Sequence, residues 1–174
     1  MSVKQKVNEF INSLQNDGED LFPYLANNNW SPGNPVYYSG PYWDEKEVTS
    51  AVTTLLSGKW SSAGEQVNKF EKEFSIKFGF DHSVMVNSGS SANLVMIAAL
   101  KKYFGWKDGD EIIVCACGFP TTIAPVVQAG LKPVFVDIDW KDLNWNLDQI
   151  ESSITDRTRA VFSSPVLGYS YHCR

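Results

Sequence analysis

After Gly79 the chain falls into a rhythm of short apolar runs separated by helical stretches, and this alternation constrains its fold more than any other feature. Apolar strands are readable at 83–86, 111–115, 134–137 and 159–162, with helical segments at 90–103, 121–129 and 147–154 between them. Strands apolar on both faces and joined by helices form a mostly parallel sheet covered on both sides, a three-layer α/β arrangement. In such sheets ligands sit beyond the carboxyl ends of the strands. The turn after Val86 and the loop Ala-Cys-Gly-Phe-Pro-Thr-Thr after Cys115 both lie at that end.

The turn after Val86 reads Asn87-Ser-Gly-Ser-Ser-Ala-Asn93 and opens a nearly all-apolar helix. The first backbone N–H groups of a helix have no intrahelical partner, and the helix dipole favours negative charge there. Gly89 allows a phosphate to approach the backbone, while Ser90 and Ser91 add hydroxyl donors. The same residues also read as a plain serine N-cap with no ligand. Upstream, Val3, Val7, Phe10, Ile11 and Leu14 fall at helical spacing. Residues 27–42, rich in Asn, Pro, Gly and aromatics, read as an extended arm. Asp44 and Glu47 make a capping box for a helix with Val48, Ala51, Val52, Leu55 and Leu56 on its apolar face and Gly58 at its end. A loop at 59–64 leads to a helix carrying Val67, Phe70, Phe74 and Phe78, and Asn146 with Gln149 repeats the capping-box spacing.

Composition removes several classes of function. A length of 174 residues suffices for one core, and 43% hydrophobic with 20% charged residues is ordinary for a soluble globular protein. No apolar run approaches the roughly 20 residues that span a bilayer, and the N-terminus lacks a signal-peptide core. A net charge of −5 without a basic cluster argues against nucleic acid. Cys115 and Cys117 alternate in an apolar strand with no nearby His, so they read as buried thiols rather than metal ligands. With Cys173 the count is odd, which points to a reducing cytoplasm rather than a disulfide framework. No Gly-x-Gly-x-x-Gly follows a strand and no Walker lysine is present.

The order Ser57-Gly-Lys-Trp-Ser-Ser-Ala-Gly64, Phe70-Glu71, Asn87-Ser-Gly-Ser-Ser-Ala-Asn-Leu94, Gly109-Asp-Glu111 and Pro133-Val-Phe-Val-Asp-Ile-Asp139 resembles the DegT/DnrJ family of nucleotide-sugar aminotransferases and dehydratases. The match runs from about 34 to 161, and Gly33-Asn-Pro-Val-Tyr-Tyr-Ser-Gly40, Ser90-Ser91 and Gly118-Phe-Pro-Thr-Thr122 look most like the CDP-4-keto-6-deoxy-D-glucose-3-dehydrase branch. The resemblance implies the N-terminal part of the large domain of fold type I, the aspartate-aminotransferase fold, using pyridoxal or pyridoxamine 5'-phosphate. It divides the chain into an N-terminal helix and arm (1–43), a partial cofactor-binding domain (44–168) and an atypical tail (169–174). By similarity Gly89, Ser90 and Ser91 hold the cofactor phosphate, and Phe119 stacks on its pyridine ring, against the plainer reading of a core Phe at a strand end. Thr121 and Thr122 contact the cofactor or cap the following helix, and Trp60, Ser61 and Gly64 belong to a loop that reaches the substrate or a partner subunit, or to a surface turn. Asp137 and Asp139 read as loop-shaping residues at a strand end. The family implies a nucleotide-sugar substrate and a homodimer.

The lysine or histidine that carries the chemistry in this family comes from beyond the fourth strand. Here the last lysine is Lys141, and His172 is the one histidine after His82, so no catalytic residue is assigned. The aspartate that pairs with the pyridine nitrogen, and the iron–sulfur cluster of some members, also belong downstream, and nothing in this chain supports a cluster. The residues after Gly168 depart from the expected continuation, which reads as a truncated or frame-shifted copy, or as a short protein reusing half the fold. A half sheet would leave an apolar edge uncovered, so marginal stability or self-association is expected. The main expectation is a fragment of a vitamin B6-dependent sugar 3-dehydratase of deoxysugar or surface-polysaccharide biosynthesis. The alternatives are a sugar aminotransferase of the same family, and a non-catalytic half-fold that binds a phosphate ligand or a full-length relative.

Overall fold

The computed structural model describes residues 1–17, 31–36, 43–58, 64–141 and 143–164. Most of the expected arm, together with Trp60 and Ser61, lies outside the described residues. The chain forms two units, Met1–Ser83 and Val84–Arg174.

The first unit contains α1 (Val3–Asn16), α2 (Glu45–Ser57) and α3 (Glu65–Phe78). The box at the start of α2 forms as expected: Lys46 N–H donates to Asp44 Oδ1 at 2.7 Å, and Asp44 N–H donates to Glu47 Oε2 at 2.7 Å. Helices α1 and α2 pack together around Thr49, which is 1% exposed and meets Asn8 Oδ1 at 3.3 Å. Val7, Phe10, Ile11, Val48 and Val52 line an apolar groove of about 750 Å³ there. Ala51, Leu55 and Leu56 depart from the expected buried face: all three are exposed, Leu55 at 82%. Phe70, Phe74 and Phe78 form a ladder along α3 with centroids 5.7 and 4.5 Å apart, and Gly79 ends that helix in the left-handed region at φ 72°.

The second unit runs α4 (Gly89–Phe104), β1 (Glu111–Cys115), α5 (Pro120–Gln128), β2 (Lys132–Val136), α6 (Leu147–Ser152) and β3 (Thr158–Phe162). The strands form a parallel sheet in the order β2-β1-β3, with every residue of the central β1 buried. Alternate residues of β1 serve opposite faces. Ile112 and Val114 meet Ile97 of α4, Val126 of α5 and Leu131, while Ile113 and Cys115 meet Val136 and Trp145, with Ile150 of α6 alongside. The mostly parallel, doubly covered sheet expected from the sequence is present.

Three local expectations are corrected. Residues 83–86 do not join the sheet of the described residues, and Val84 is 75% exposed. The start of this segment is bound to α3 instead: Ser83 Oγ donates to Glu71 O at 2.6 Å and accepts from Ser75 Oγ at 3.0 Å. The box at α6 is half formed. Asn146 Oδ1 accepts from Gln149 N–H at 3.0 Å, but Gln149 Oε1 accepts the N–H of Asp137 at 2.7 Å, joining α6 to the end of β2. Cys115 is buried as expected, whereas Cys117 lies past the end of β1 and is exposed.

The amino end of β1 is held by ion pairs. Arg159 forks onto Asp110, Nε to Oδ2 at 2.9 Å and Nη2 to Oδ1 at 3.1 Å, and Lys107 N–H donates to the same carboxylate at 2.9 Å. The register between β1 and β3 shifts at this point, Thr158 facing Glu111 and Ala160 facing Ile112, so Arg159 is the extra residue. Glu111 accepts from Thr155 Oγ1 at 2.6 Å and Lys132 Nζ at 3.0 Å. The Lys107 N–H and then Arg159 hold the Asp110 carboxyl below the usual carboxylate range, and the Thr155 hydroxyl and then Lys132 do the same for Glu111. Depressed values in the folded state mean that the unfolded chain takes up these protons first as pH falls. Their stabilisation is complete above the ordinary carboxylate values near pH 4 and is lost as the pH falls below them. The Tm is therefore expected to be flat between about pH 6 and 8 and to fall below about pH 4, with a shallower fall in Asp110→Asn. Equal slopes for the two proteins would show that this pair contributes nothing to acid sensitivity.

Candidate functional site

The carboxyl end of the sheet gathers the helix starts. Ser88 caps α4 from extended backbone, its Oγ accepting from Ser91 N–H at 3.2 Å, while Ala92 N–H donates to Ser88 O at 3.0 Å. Gly89 and Ser90 therefore occupy the first two helical positions, and no acceptor among the described residues takes their N–H groups. Both residues are exposed. A Cβ built on Gly89 meets nothing within 4 Å, so the face of the turn is open. Ser91 is half-buried and already engaged: its Oγ donates to Asn87 Oδ1 at 2.6 Å and stands 3.1 Å from Ser88 Oγ. Anion-directed donors thus come from the N–H groups of Gly89 and Ser90 and the Ser90 hydroxyl, with the Ser91 hydroxyl available by turning away from Asn87.

The loop after β1 ends at Phe119, the N-cap of α5, with Pro120 at the first helical position. The Phe119 side chain is 61% exposed, so it is not the core residue of the plainer reading. Thr121 is half-buried, and its carbonyl accepts from Asn93 Nδ2 at 3.1 Å. That bond and the packing of Ile97 against Val126 bring the first turns of α4 and α5 together. Gly89, Ser90, Ser91, Phe119 and Thr121 therefore belong to one end of one unit. The capping role expected for Thr121 or Thr122 is corrected: α5 begins at Pro120 with Phe119 as N-cap and no side-chain cap bond. Thr122, inside the first turn, is 5% exposed with its N–H donating to Phe119 O at 2.9 Å. Gly64 is the N-cap of α3 in the other unit, with no side-chain cap.

Other groups at this end have local roles. Asp137 Oδ1 accepts from Ile138 N–H at 2.8 Å and Asp139 Oδ1 from Lys141 N–H at 3.0 Å, so both shape the loop after β2. Burial pushes the Cys115 thiol up, against a hydrogen bond from the Cys117 backbone that acts in the opposite sense. No group of three or more metal-ligating residues occurs among the described residues, and none of their helices is long and apolar enough to cross a membrane. Ser88 and Asn93 stand in the Asn87–Asn93 run, but the sequence alone does not assign them their separate roles of cap and inter-helix donor. Their signals are slight: Ser88 is the first hydroxyl before the helix, and Asn93 is the lone amide in an apolar helix.

The family model described as the DegT/DnrJ/EryC1/StrS aminotransferase family matches residues 42–172. The GDP-4-keto-6-deoxy-D-mannose 3-dehydratase of Yersinia pseudotuberculosis is 47% identical over 128 residues, 72% of this chain and 32% of that protein. The solved structure of the E. coli GDP-4-keto-6-deoxy-D-mannose-3-dehydratase with bound hydrated PLP superposes with a TM-score of 0.63 at 42% identity, over 71% of this chain and 32% of that one. PseC of Helicobacter pylori, an aminotransferase involved in the biosynthesis of pseudoaminic acid, gives a TM-score of 0.64 at 26% identity, over 74% and 33%. The chain spans about a third of the length of the relatives it matches. With the parallel sheet, the open α4 turn and the motif order in agreement, the chain belongs to the DegT/DnrJ/EryC1/StrS aminotransferase family.

Proposed function

We propose that this chain supplies the phosphate cradle and ring clamp of a vitamin B6-dependent 3-dehydratase acting on a nucleotide-linked 4-keto-6-deoxy sugar, in deoxysugar or surface-polysaccharide synthesis. The observation that carries the reading is the open first turn of α4, with the free N–H groups of Gly89 and Ser90, joined through Asn93 to a helix that begins at the exposed Phe119. These residues fit pyridoxal or pyridoxamine 5'-phosphate in their donor set and in the exposed aromatic ring that follows β1 in the chain. The turn offers donors and the helix dipole to a dianion, and Phe119 offers a flat apolar face to a pyridine. When bound, the cofactor supplies an electron sink for bond cleavage beside the 4-keto carbon. Residues 89–91 anchor it by its phosphate, and Phe119 orients its ring and shields one face from water. Gly64 and the neighbouring Trp60 and Ser61 are assigned to the substrate or to a partner subunit of a homodimer. A soluble, cytoplasmic enzyme fits this chemistry. The same cradle serves a sugar aminotransferase, a reading favoured by the likeness to PseC, but the identities above 40% are to 3-dehydratases.

The test is an equilibrium titration with pyridoxal and pyridoxamine phosphates, followed by their absorption bands. Saturable binding displaced by inorganic phosphate is expected, and the combined Ser90→Ala and Ser91→Ala variant should bind about 10- to 100-fold more weakly, since a hydrogen bond to a charged group is worth about 1.5–3 kcal/mol. A GDP- or CDP-4-keto-6-deoxyhexose added to the pyridoxamine phosphate complex should alter its spectrum. Binding unaffected by the double substitution would remove the phosphate assignment, and a sugar without spectral effect would remove the substrate class.

A further inference from the structure

We propose that Asn93 is a positioning residue that, together with Pro125, sets the placement of the Phe119 ring relative to the phosphate turn. In an α-helix the carbonyl of residue i accepts from the N–H of residue i+4. The residue four beyond Thr121 is Pro125, inside α5, and proline has no N–H to give. The Thr121 carbonyl thereby lacks its i+4 backbone donor, and Asn93 Nδ2 donates to it at 3.1 Å. Asn93 lies one turn into α4, two residues after Ser91, and Thr121 lies two residues after Phe119 in the first turn of α5. A side-chain amide from the phosphate-bearing helix therefore replaces the missing backbone donor of the ring-bearing helix. A proline inside a helix ordinarily costs stability. Here it leaves a carbonyl through which a side chain of α4 is bonded to the first turn of α5.

This inference rests on the cofactor site proposed above. It predicts that Asn93 affects the ring and not the phosphate. Asn93→Ala should weaken pyridoxal phosphate binding about five- to tenfold, the loss of one ordinary hydrogen bond. Its affinity for inorganic phosphate should stay at the wild-type value, and the circular dichroism induced in the bound pyridine band should be lost. Asn93→Asp keeps the shape and removes the donor while ionised. It should show the same loss at neutral pH and recover, relative to wild type, as acid restores an O–H donor. Pro125→Ala returns an N–H to Thr121 O, so in that background Asn93→Ala should cost less. Wild-type pyridoxal phosphate affinity and induced signal in both Asn93 variants would overturn the proposal, as would equal weakening of the cofactor and of inorganic phosphate. If Asn93→Ala does not fold, the near-isosteric Asn93→Asp decides by itself. Failure of the cofactor reading appears in the wild-type titration, whereas failure of this inference appears in the Asn93 variants alone.

Discussion

Ile112→Ala is expected to lower the stability of the sheet-bearing unit by about 2–5 kcal/mol, the usual range for truncating a fully buried aliphatic side chain. Ile112 is the second residue of the central strand, is 0% exposed, and lies between Pro133 on β2 and Ala160 on β3. Its side chain shares a cluster with Ile97 of α4 and Val126 of α5, so the cavity would open where both helices meet the sheet. The backbone ladders fix β1 on both sides, which limits how far the site can collapse onto the gap. Urea denaturation followed by far-ultraviolet circular dichroism measures the loss as a shift of the midpoint. Val161→Ala on β3, where the side chain is 49% exposed, should cost much less and serves as the control. A loss below about 1 kcal/mol at Ile112 would mean that the α4–α5–β1 cluster is not the main core of this unit.

The elements legible in the amino-acid sequence are those whose signal is local. The apolar run 111–115 appears as β1 with the same limits, and the Asp44–Glu47 spacing closes the capping box it announces. The segment 83–86 has a comparable pattern, yet it is not a strand of the sheet. Alternation of apolar residues reports a preference for extended backbone, whereas a strand also needs a partner, and pairing is set by residues distant in sequence. Gln149 shows the same limit at shorter range, because its side chain is taken by the N–H of Asp137, twelve residues away, rather than by its own cap. The candidate site is legible in outline through the Gly/Ser turn and the aromatic after β1. Its internal bond is not, although a proline at the fourth position after Thr121 and an amide within an apolar helix are both visible in the chain. Each signal is ambiguous alone; they become one feature only when α4 and α5 are adjacent.

That adjacency allows the site to be separated from the fold by a single substitution. Gly89→Asp is expected to leave the Tm unchanged or slightly higher and to weaken pyridoxal phosphate binding by at least about 100-fold. Gly89 needs no left-handed backbone, and a Cβ there meets no neighbour within 4 Å, so the turn accepts a side chain without strain. A carboxylate in the first turn of α4 interacts favourably with the helix dipole, and replacing glycine in a helix removes about 0.5–1 kcal/mol of backbone entropy cost. Both effects favour the folded state. The same carboxylate occupies the open face beside the free N–H groups, the place proposed for the cofactor phosphate. Two like charges about 4 Å apart near a protein surface repel by about 4 kcal/mol, which exceeds the gain from any single donor in the turn. A melt and a cofactor titration on the same preparation decide the matter. A retained fold with lost binding locates the anion at α4. Retained binding would place the phosphate elsewhere and leave Ser88 as an ordinary helix cap.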